Sequence, residues 1–373
     1  MLATRLEVFF NIVLYCLICA VLLGALSKKK PPRNNVYLGV LLILLFFLFA
    51  FWGGDYFHYE EGYNLIKSNT FFTTSLEDVY YWIISITPSY FFFRLIIWGG
   101  CLALYMKILS LLKIPIGIGL LSFAAFALLR LSYARVSLAM AMMYAGLAFF
   151  VCANNNNNNN KKRAGLFGIL LIVSSFYFHK SAYFGIFMIL SSAFLTFIKN
   201  KGVGYFMIIA IFIVSFLLVR YYIGDLMMAS IDAEESNFSM EVGQKYLGRD
   251  GSETGWGGRI RDFAEMIPYY VGLFIYFRLR IKGSLRECPT SMLMFANLFV
   301  IITLVSSVFM FDYGYNTVFL YHRFMRFNLI PLAIFMAFCY TIGYERTLVK
   351  YNCIIAMLVS LFTLYYSFQH ALS

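Results

Sequence analysis

Charge is scarce in this chain. Of its 373 residues 13% are Asp, Glu, Lys or Arg, against 61% hydrophobic, with a mean hydropathy of +0.76. A soluble domain is about one quarter charged and about half apolar, so this composition excludes an ordinary water-soluble globule. There are only seven prolines and four histidines to interrupt or decorate the apolar runs. No HExxH, GxSxG or Walker sequence occurs, and no paired-carboxylate motif for a divalent metal. Zinc proteases, nucleophile-elbow hydrolases and P-loop NTPases therefore have no signature here, and neither metal nor cofactor is expected. Among the seven cysteines no CxxC-type pair flanks a histidine or another such pair; Cys16 and Cys19 lie three apart on one apolar helix face and read as packing residues. Residues 1–26 carry Glu7 and lack a cleavage-type end, so they read as a first span, not a removable signal peptide.

What is present is a succession of apolar segments near span length. They fall at 8–26, 36–51, 90–109, 114–129, 136–152, 165–178, 182–198, 203–219, 263–277, 292–309, 327–344 and 353–368. The expectation is an all-α polytopic transmembrane helical bundle of about twelve spans (about ten to twelve), forming one transmembrane domain over 1–373. The segment 80–89, ending near Pro88, is too short to cross alone and belongs at the interface or in a re-entrant turn.

In a soluble protein a net charge of +12 would suggest nucleic acid, but its distribution here argues for membrane topology instead. Lys28, Lys29, Lys30 and Arg33 mark the first connector as cytoplasmic. Alternation then groups with it Lys107 and Lys113, Lys161 to Arg163, Lys199 and Lys201, Arg278 to Arg286, and Arg346 and Lys350. No nucleic-acid partner is expected. Three segments stand between spans: an outer acidic and aromatic loop over 54–79, a cytoplasmic low-complexity loop over 154–163 with seven asparagines, and a large outer loop over 221–261. The last is long enough to suggest a functional lid.

The same alternation puts a set of bases near the outer ends of spans, where they are ordinarily depleted. Arg94, Arg130, Arg135, His179, Lys180, Arg220, Arg259, Arg261, His322, Arg323 and Arg326 all fall there. Arg130 and Arg135 stand at the mouth of a run that stays apolar to Ala153. An arginine at such a place is costly unless it meets an anion, a polar cavity or water. Its planar fork suits a phosphate, and Arg323 and Arg326 share one helix face. The plain alternative for each is an ion pair or a snorkelling helix-end anchor. Acids cap this basic ring: Asp55, Glu60, Glu61, Asp262, Glu265 and Asp312. Asp55 follows Trp52-Gly53-Gly54, whose glycines permit close ligand approach, and Tyr56, Tyr59 and Tyr63 come next. With Trp256 they offer hydroxyls and ring faces to a sugar; the plain alternative is an aromatic belt at the membrane surface. A ligand with an anionic head, a lipid tail and a neutral polar body would fit such a pocket.

Together, Gly54-Asp55-Tyr56 with Tyr63, Arg135-Val136-Ser137-Leu138-Ala139, Phe178-His179-Lys180-Ser181-Ala182 and Arg323-Phe324-Met325-Arg326-Phe327 resemble the EpsG-like branch of the Wzy-type polysaccharide polymerases, over roughly residues 35–345. The resemblance implies a bacterial inner (cytoplasmic) membrane glycosyltransferase similar in form to the C-class enzymes, its site facing the periplasm or cell exterior. It implies transfer of a growing glycan from undecaprenyl diphosphate to the non-reducing end of a lipid-linked repeat unit of O-antigen or exopolysaccharide. A flippase and a chain-length regulator work beside such enzymes. On this reading Arg135, Arg323 and Arg326, with Arg130, Arg259 and Arg261 behind them, would hold the diphosphate. Asp55 or His179 would take the acceptor proton, with Glu60, Glu61, Asp262 and Glu265 as further carboxylates beside the sugar.

Two alternatives stay open. A ligase using the same lipid donor would share the arginines and the outer location. A flippase or transporter of lipid-linked sugars would need polar groups at several depths. A membrane acyltransferase is a weaker third, since the His179 segment lacks a clear acidic partner.

Overall fold

The computed structural model describes residues 13, 15–21, 23–24, 56–68, 78–127, 134–153, 159–179, 182–198, 201–218, 256–309, 321 and 324–372. All regular structure among them is helical. In chain order, α1 is Tyr56–Lys67, α2 Asp78–Ile86, α3 Tyr90–Leu111, α4 Ile116–Phe126, α5 Ala134–Ala153 and α6 Asn159–Phe178. They are followed by α7 Ala182–Phe197, α8 Lys201–Leu218, α9 Trp256–Lys282, α10 Thr290–Val308, α11 Leu329–Ile342 and α12 Arg346–Leu372. The protein is all-α and membrane-associated.

The expected count of about twelve spans is overturned. Among the described residues five helical stretches are long and apolar enough to cross a bilayer: Tyr90–Leu111, Val136–Ala153, Thr290–Val308, Phe324–Ile342 and Arg346–Thr363. The apolar segments between them do form helices, yet they fail on length or charge. Helix α4 has 11 residues and is buried from Gly117 to Phe126, as a core helix of that length should be. Helix α7 has 16 residues, and the apolar part of α8, Gly202–Leu217, is equally short of the roughly 20 a span needs. Helix α6 opens with Asn159, Asn160, Lys161, Lys162 and Arg163, so the basic triplet lies inside a helix and shortens its apolar part. Helix α9 carries Arg261, Asp262 and Glu265 in its first half and Arg278, Arg280 and Lys282 in its last turns. The segments 8–26 and 36–51 lie largely or wholly outside the described residues; within the first, residues 15–21 are helical.

The core is built on α10 and α11, which are apolar on all sides and therefore buried all round. Around them lie α4, α5, α7 and α9. Small residues set the closest approaches. A Cβ placed on Gly146 of α5 would stand 2.5 Å from the carbonyl oxygen of Gly168 on α6, and the converse is equally tight. These helices form an antiparallel hairpin in which the backbones themselves touch. Gly185 of α7 likewise admits Met143, and Gly272 of α9 admits Phe299.

Buried polar side chains pin helices to one another. Ser122 of α4 donates to the Ala333 carbonyl (2.7 Å), Ser192 of α7 to the Met294 carbonyl (2.6 Å), and Asn352 of α12 to the Pro268 carbonyl (2.9 Å). The short helix α2 ends at Thr87-Pro88-Ser89, and α3 starts directly after it. The first turns of α3 run through a π-helical stretch, Leu95–Gly99. That widening follows directly on Arg94, which is 3% exposed.

Helix ends with basic residues share one side of the bundle. Cys152 at the end of α5 contacts the Leu111 carbonyl at the end of α3 (3.5 Å), and Lys107 lies over the Phe149 ring. At the turn between α11 and α12, Glu345 binds Arg278 (2.8 Å) and Lys282 at the end of α9. Lys282, through its ammonium, and then Arg278 hold the Glu345 carboxyl below the usual carboxylate range, against the opposing effect of burial.

Candidate functional site

The opposite side of the bundle collects the other helix ends. The antiparallel register of α5 and α6 fixes the first relationship. Gly146 faces Gly168, and Arg135 lies as far before Gly146 as His179 lies after Gly168. The backbone of Arg135 therefore stands level with His179. His179 directly follows α6 as a partly buried residue; its N–H donates to the Ser175 carbonyl (3.1 Å) and its carbonyl accepts from Ala182 (2.9 Å), closing the turn into α7.

Arg326 reaches the same side from α11's approach. It is partly buried, in the turn Phe324–Phe327. That turn is clamped on three sides: Phe324 packs on Phe184 (4.1 Å between centroids) and stacks on Phe309 (4.9 Å), and the Phe327 carbonyl accepts from Tyr144 of α5 (2.5 Å). Aromatic packing thus fixes a guanidinium-bearing turn between the α6–α7 hairpin and the end of α10. Asn328 follows, fully buried, its amide donating to Thr303 (2.6 Å).

Helices α1 to α3 wall the His179 side. Tyr63 packs against Tyr90 (5.6 Å) and Phe93 (5.9 Å), and Tyr80 meets Phe178 edge-on (6.0 Å). Arg94 lies over the Tyr90 ring at 5.3 Å. Tyr63, expected to meet a sugar, is 4% exposed and donates its hydroxyl to the Thr87 carbonyl (2.8 Å). Its place in the wall is that of a packing anchor. Glu60 stands partly exposed on the same helix. Tyr56, Tyr59 and Glu61 also belong to α1, with side chains outside the described set.

Two acids stand at the start of α9. Asp262 is 1% exposed and accepts from both Nη2 (3.0 Å) and Nε (3.2 Å) of Arg261. Glu265, also buried, accepts from Thr363 of α12 (3.0 Å). Arg261 is thus engaged by its neighbour, and Glu265 locks α9 to α12. Trp256 and Arg259 begin α9, with side chains outside the described set. The large loop ends earlier than expected, because residues 256–261 are already helical. Beside this stretch an apolar cleft of about 720 Å³ opens between α9 and α10, lined by Phe263, Ile267, Tyr270 and Ser307.

Asp55, Arg130 and Arg323 lie outside the described residues, as do Lys180, Arg220, His322 and Asp312. Among the described residues no group of three His, Cys, Asp or Glu side chains converges on a metal position. Sequence reasoning passed over Tyr144 and Asn328, which hold the Arg326 turn. Asn328 had a signal, a carboxamide opening an apolar run. Tyr144 had none, being one tyrosine among 28.

Comparison with protein-family models, with curated proteins and with solved structures gives no match for this chain.

Proposed function

We propose that this chain is a membrane glycosyltransferase of the polysaccharide-polymerase kind. It moves a growing glycan from undecaprenyl diphosphate to the non-reducing end of a lipid-linked repeat unit of O-antigen or exopolysaccharide. It works in the bacterial cytoplasmic membrane with its site toward the periplasm or cell exterior. The observation that carries the reading is the gathering of the Arg135 backbone, His179 and the Arg326 turn at the side of the bundle opposite the basic connectors.

In the reaction, the acceptor hydroxyl oxygen bonds to the donor's anomeric carbon as the bond from that carbon to the diphosphate oxygen breaks. The bonding pair leaves with the diphosphate, and the hydroxyl proton passes to His179 or Asp55. Charge grows on the departing oxygens, so arginines aimed there favour the transition state over the ground state. Arg135, Arg326 and Arg323 take that role. Diphosphate leaves readily, so no acid is needed to protonate it. The apolar cleft between α9 and α10 gives room for hydrocarbon.

The test is reconstitution of the purified protein with a lipid-diphosphate repeat unit. Longer glycans together with free carrier are expected. Glycan moved only onto a different lipid acceptor would make the protein a ligase. Donor that changes leaflet with its glycan unaltered would make it a flippase.

A further inference from the structure

On the opposite, basic side of the bundle Arg280 is held by aromatic rings and a hydrogen-bond chain. Its guanidinium lies over the ring of Tyr205 (5.2 Å to the centroid) and near that of Tyr276 (5.9 Å), and Nη1 donates to the Tyr276 hydroxyl at 2.6 Å. The hydroxyl can accept because it spends its own proton on Asn297 Oδ1 (2.6 Å). Asn297 in turn donates to Thr196 (3.0 Å), which donates to the Ser192 carbonyl (2.7 Å). This chain through α9, α10 and α7 holds the guanidinium in one orientation.

Three features of that orientation call for an anion. Among the described residues no carboxylate stands within ion-pair distance of Arg280; Glu345 takes Arg278 and Lys282 instead. The Nη2 end presses onto the backbone of Gly204, where any Cβ would collide with it. Gly204 lies in the first turn of α8, so a fixed cation sits against the positive end of a helix dipole. The phenol oxygen of Tyr205, one residue on, is buried without a hydrogen-bond partner. A charge held against a helix N-terminus beside an unused hydroxyl is resolved by a group bringing negative charge and several acceptor oxygens. The surrounding helix faces are strongly apolar, with Phe206, Ile209 and Ile281 exposed.

We propose that Arg280, Tyr205 and the first turn of α8 bind the phosphate of a membrane phospholipid at the surface where α9 ends. The shared chemistry is a phosphate oxyanion, and the apolar surroundings select a lipid source over a soluble one.

The test uses the full-length protein in detergent. Retention of phosphatidylglycerol is measured by native mass spectrometry, and the thermal midpoint is followed on adding phosphatidylglycerol, dioleoylglycerol or inorganic phosphate. Phosphatidylglycerol is expected to be retained and to raise the midpoint, whereas dioleoylglycerol, which lacks phosphate, does neither. Arg280→Gln should lower retention about tenfold. Should that variant fail to fold, Tyr205→Phe, which removes only the hydroxyl, is expected to weaken retention about threefold. Gly204→Ala, which displaces the guanidinium, should act in the same direction. Equal retention in wild type and all three variants would overturn the site. A midpoint raised as much by inorganic phosphate as by phosphatidylglycerol would overturn the lipid assignment. Glycan transfer plays no part in this readout, so its outcome is independent of the proposed polymerase.

Discussion

Tyr144 of α5 donates its hydroxyl to the main-chain carbonyl of Phe327 at 2.5 Å, and so ties the middle of one helix to the turn that carries Arg326. Both residues are buried, and the turn has no regular α-helical bonding of its own at Phe327 and Asn328, whose N–H groups reach back only to Phe324 and Met325. The position of Arg326 therefore depends on a contact made far away in the sequence.

Tyr144→Phe should leave the Phe327 carbonyl without that donor in a buried place. The expected loss is about 1–2 kcal/mol of stability, read as a lowered thermal midpoint, with glycan extension falling further than stability does. Unchanged extension at unchanged midpoint would detach the turn from function.

Arg135→Ala should abolish polymer formation while the protein still reaches the membrane. Arg135→Lys should be partly active, because an ammonium keeps the charge and loses the planar two-pronged grip. Chain length of the polysaccharide and membrane content of the protein together give the measurement; normal chains in the alanine variant would remove Arg135 from the reaction.

The α5–α6 hairpin depends on the absence of side chains at Gly146 and Gly168. Gly146→Leu should force the two backbones apart and cost at least about 1–3 kcal/mol. Because that contact sets the level of Arg135 against His179, activity should be lost with it. Gly165→Ala is the control, since its added methyl would meet only Ala153 at 3.6 Å.

At the basic side, Glu345 has a depressed carboxyl, so its pairing stabilises the protein above the unfolded value near 4.5 and is lost as pH falls through the lower folded value. Glu345→Gln should then be less stable than wild type at pH 7, with the difference closing below pH 4.5. Arg278 and Lys282 are 46% and 51% exposed, so the effect should be only about 0.2–1 kcal/mol and should shrink in high salt. Thermal midpoints across pH at two salt concentrations decide this. A difference that grows on acidification would contradict it.

Hydropathy located α3 to α12, whereas α1 lies inside the segment expected as an outer loop over 54–79. The runs at 90–109, 136–152 and 292–309 became α3, α5 and α10 with ends shifted by a residue or two, because burial of an apolar helix needs only local composition. Lys/Arg bias likewise placed Lys107, Lys162, Arg278 and Arg346 in one group; of these, Lys107 of α3 lies over Phe149 near the end of α5, and Arg278 of α9 pairs with Glu345 just before α12. Composition could not tell a span from a buried helix. Helix α4 reads as apolar as α10, yet α4 is too short to cross and is covered by protein on every side. Nor could it tell an open tyrosine from a packed one: Tyr63 looked like a sugar contact and is a strut between α1 and α3.

Taken by itself, the order of residues determined that the protein is helical, apolar and charged at its helix ends, since those properties follow from each segment's own chemistry. Only the tertiary structure decided which of those ends meet. The level of Arg135 with His179, the clamp on Arg326 and the cage around Arg280 all arise where distant segments touch, and contacts of that kind are set by shape: a missing side chain at Gly146 or Gly204, a ring at Phe184, a hydroxyl at Tyr144.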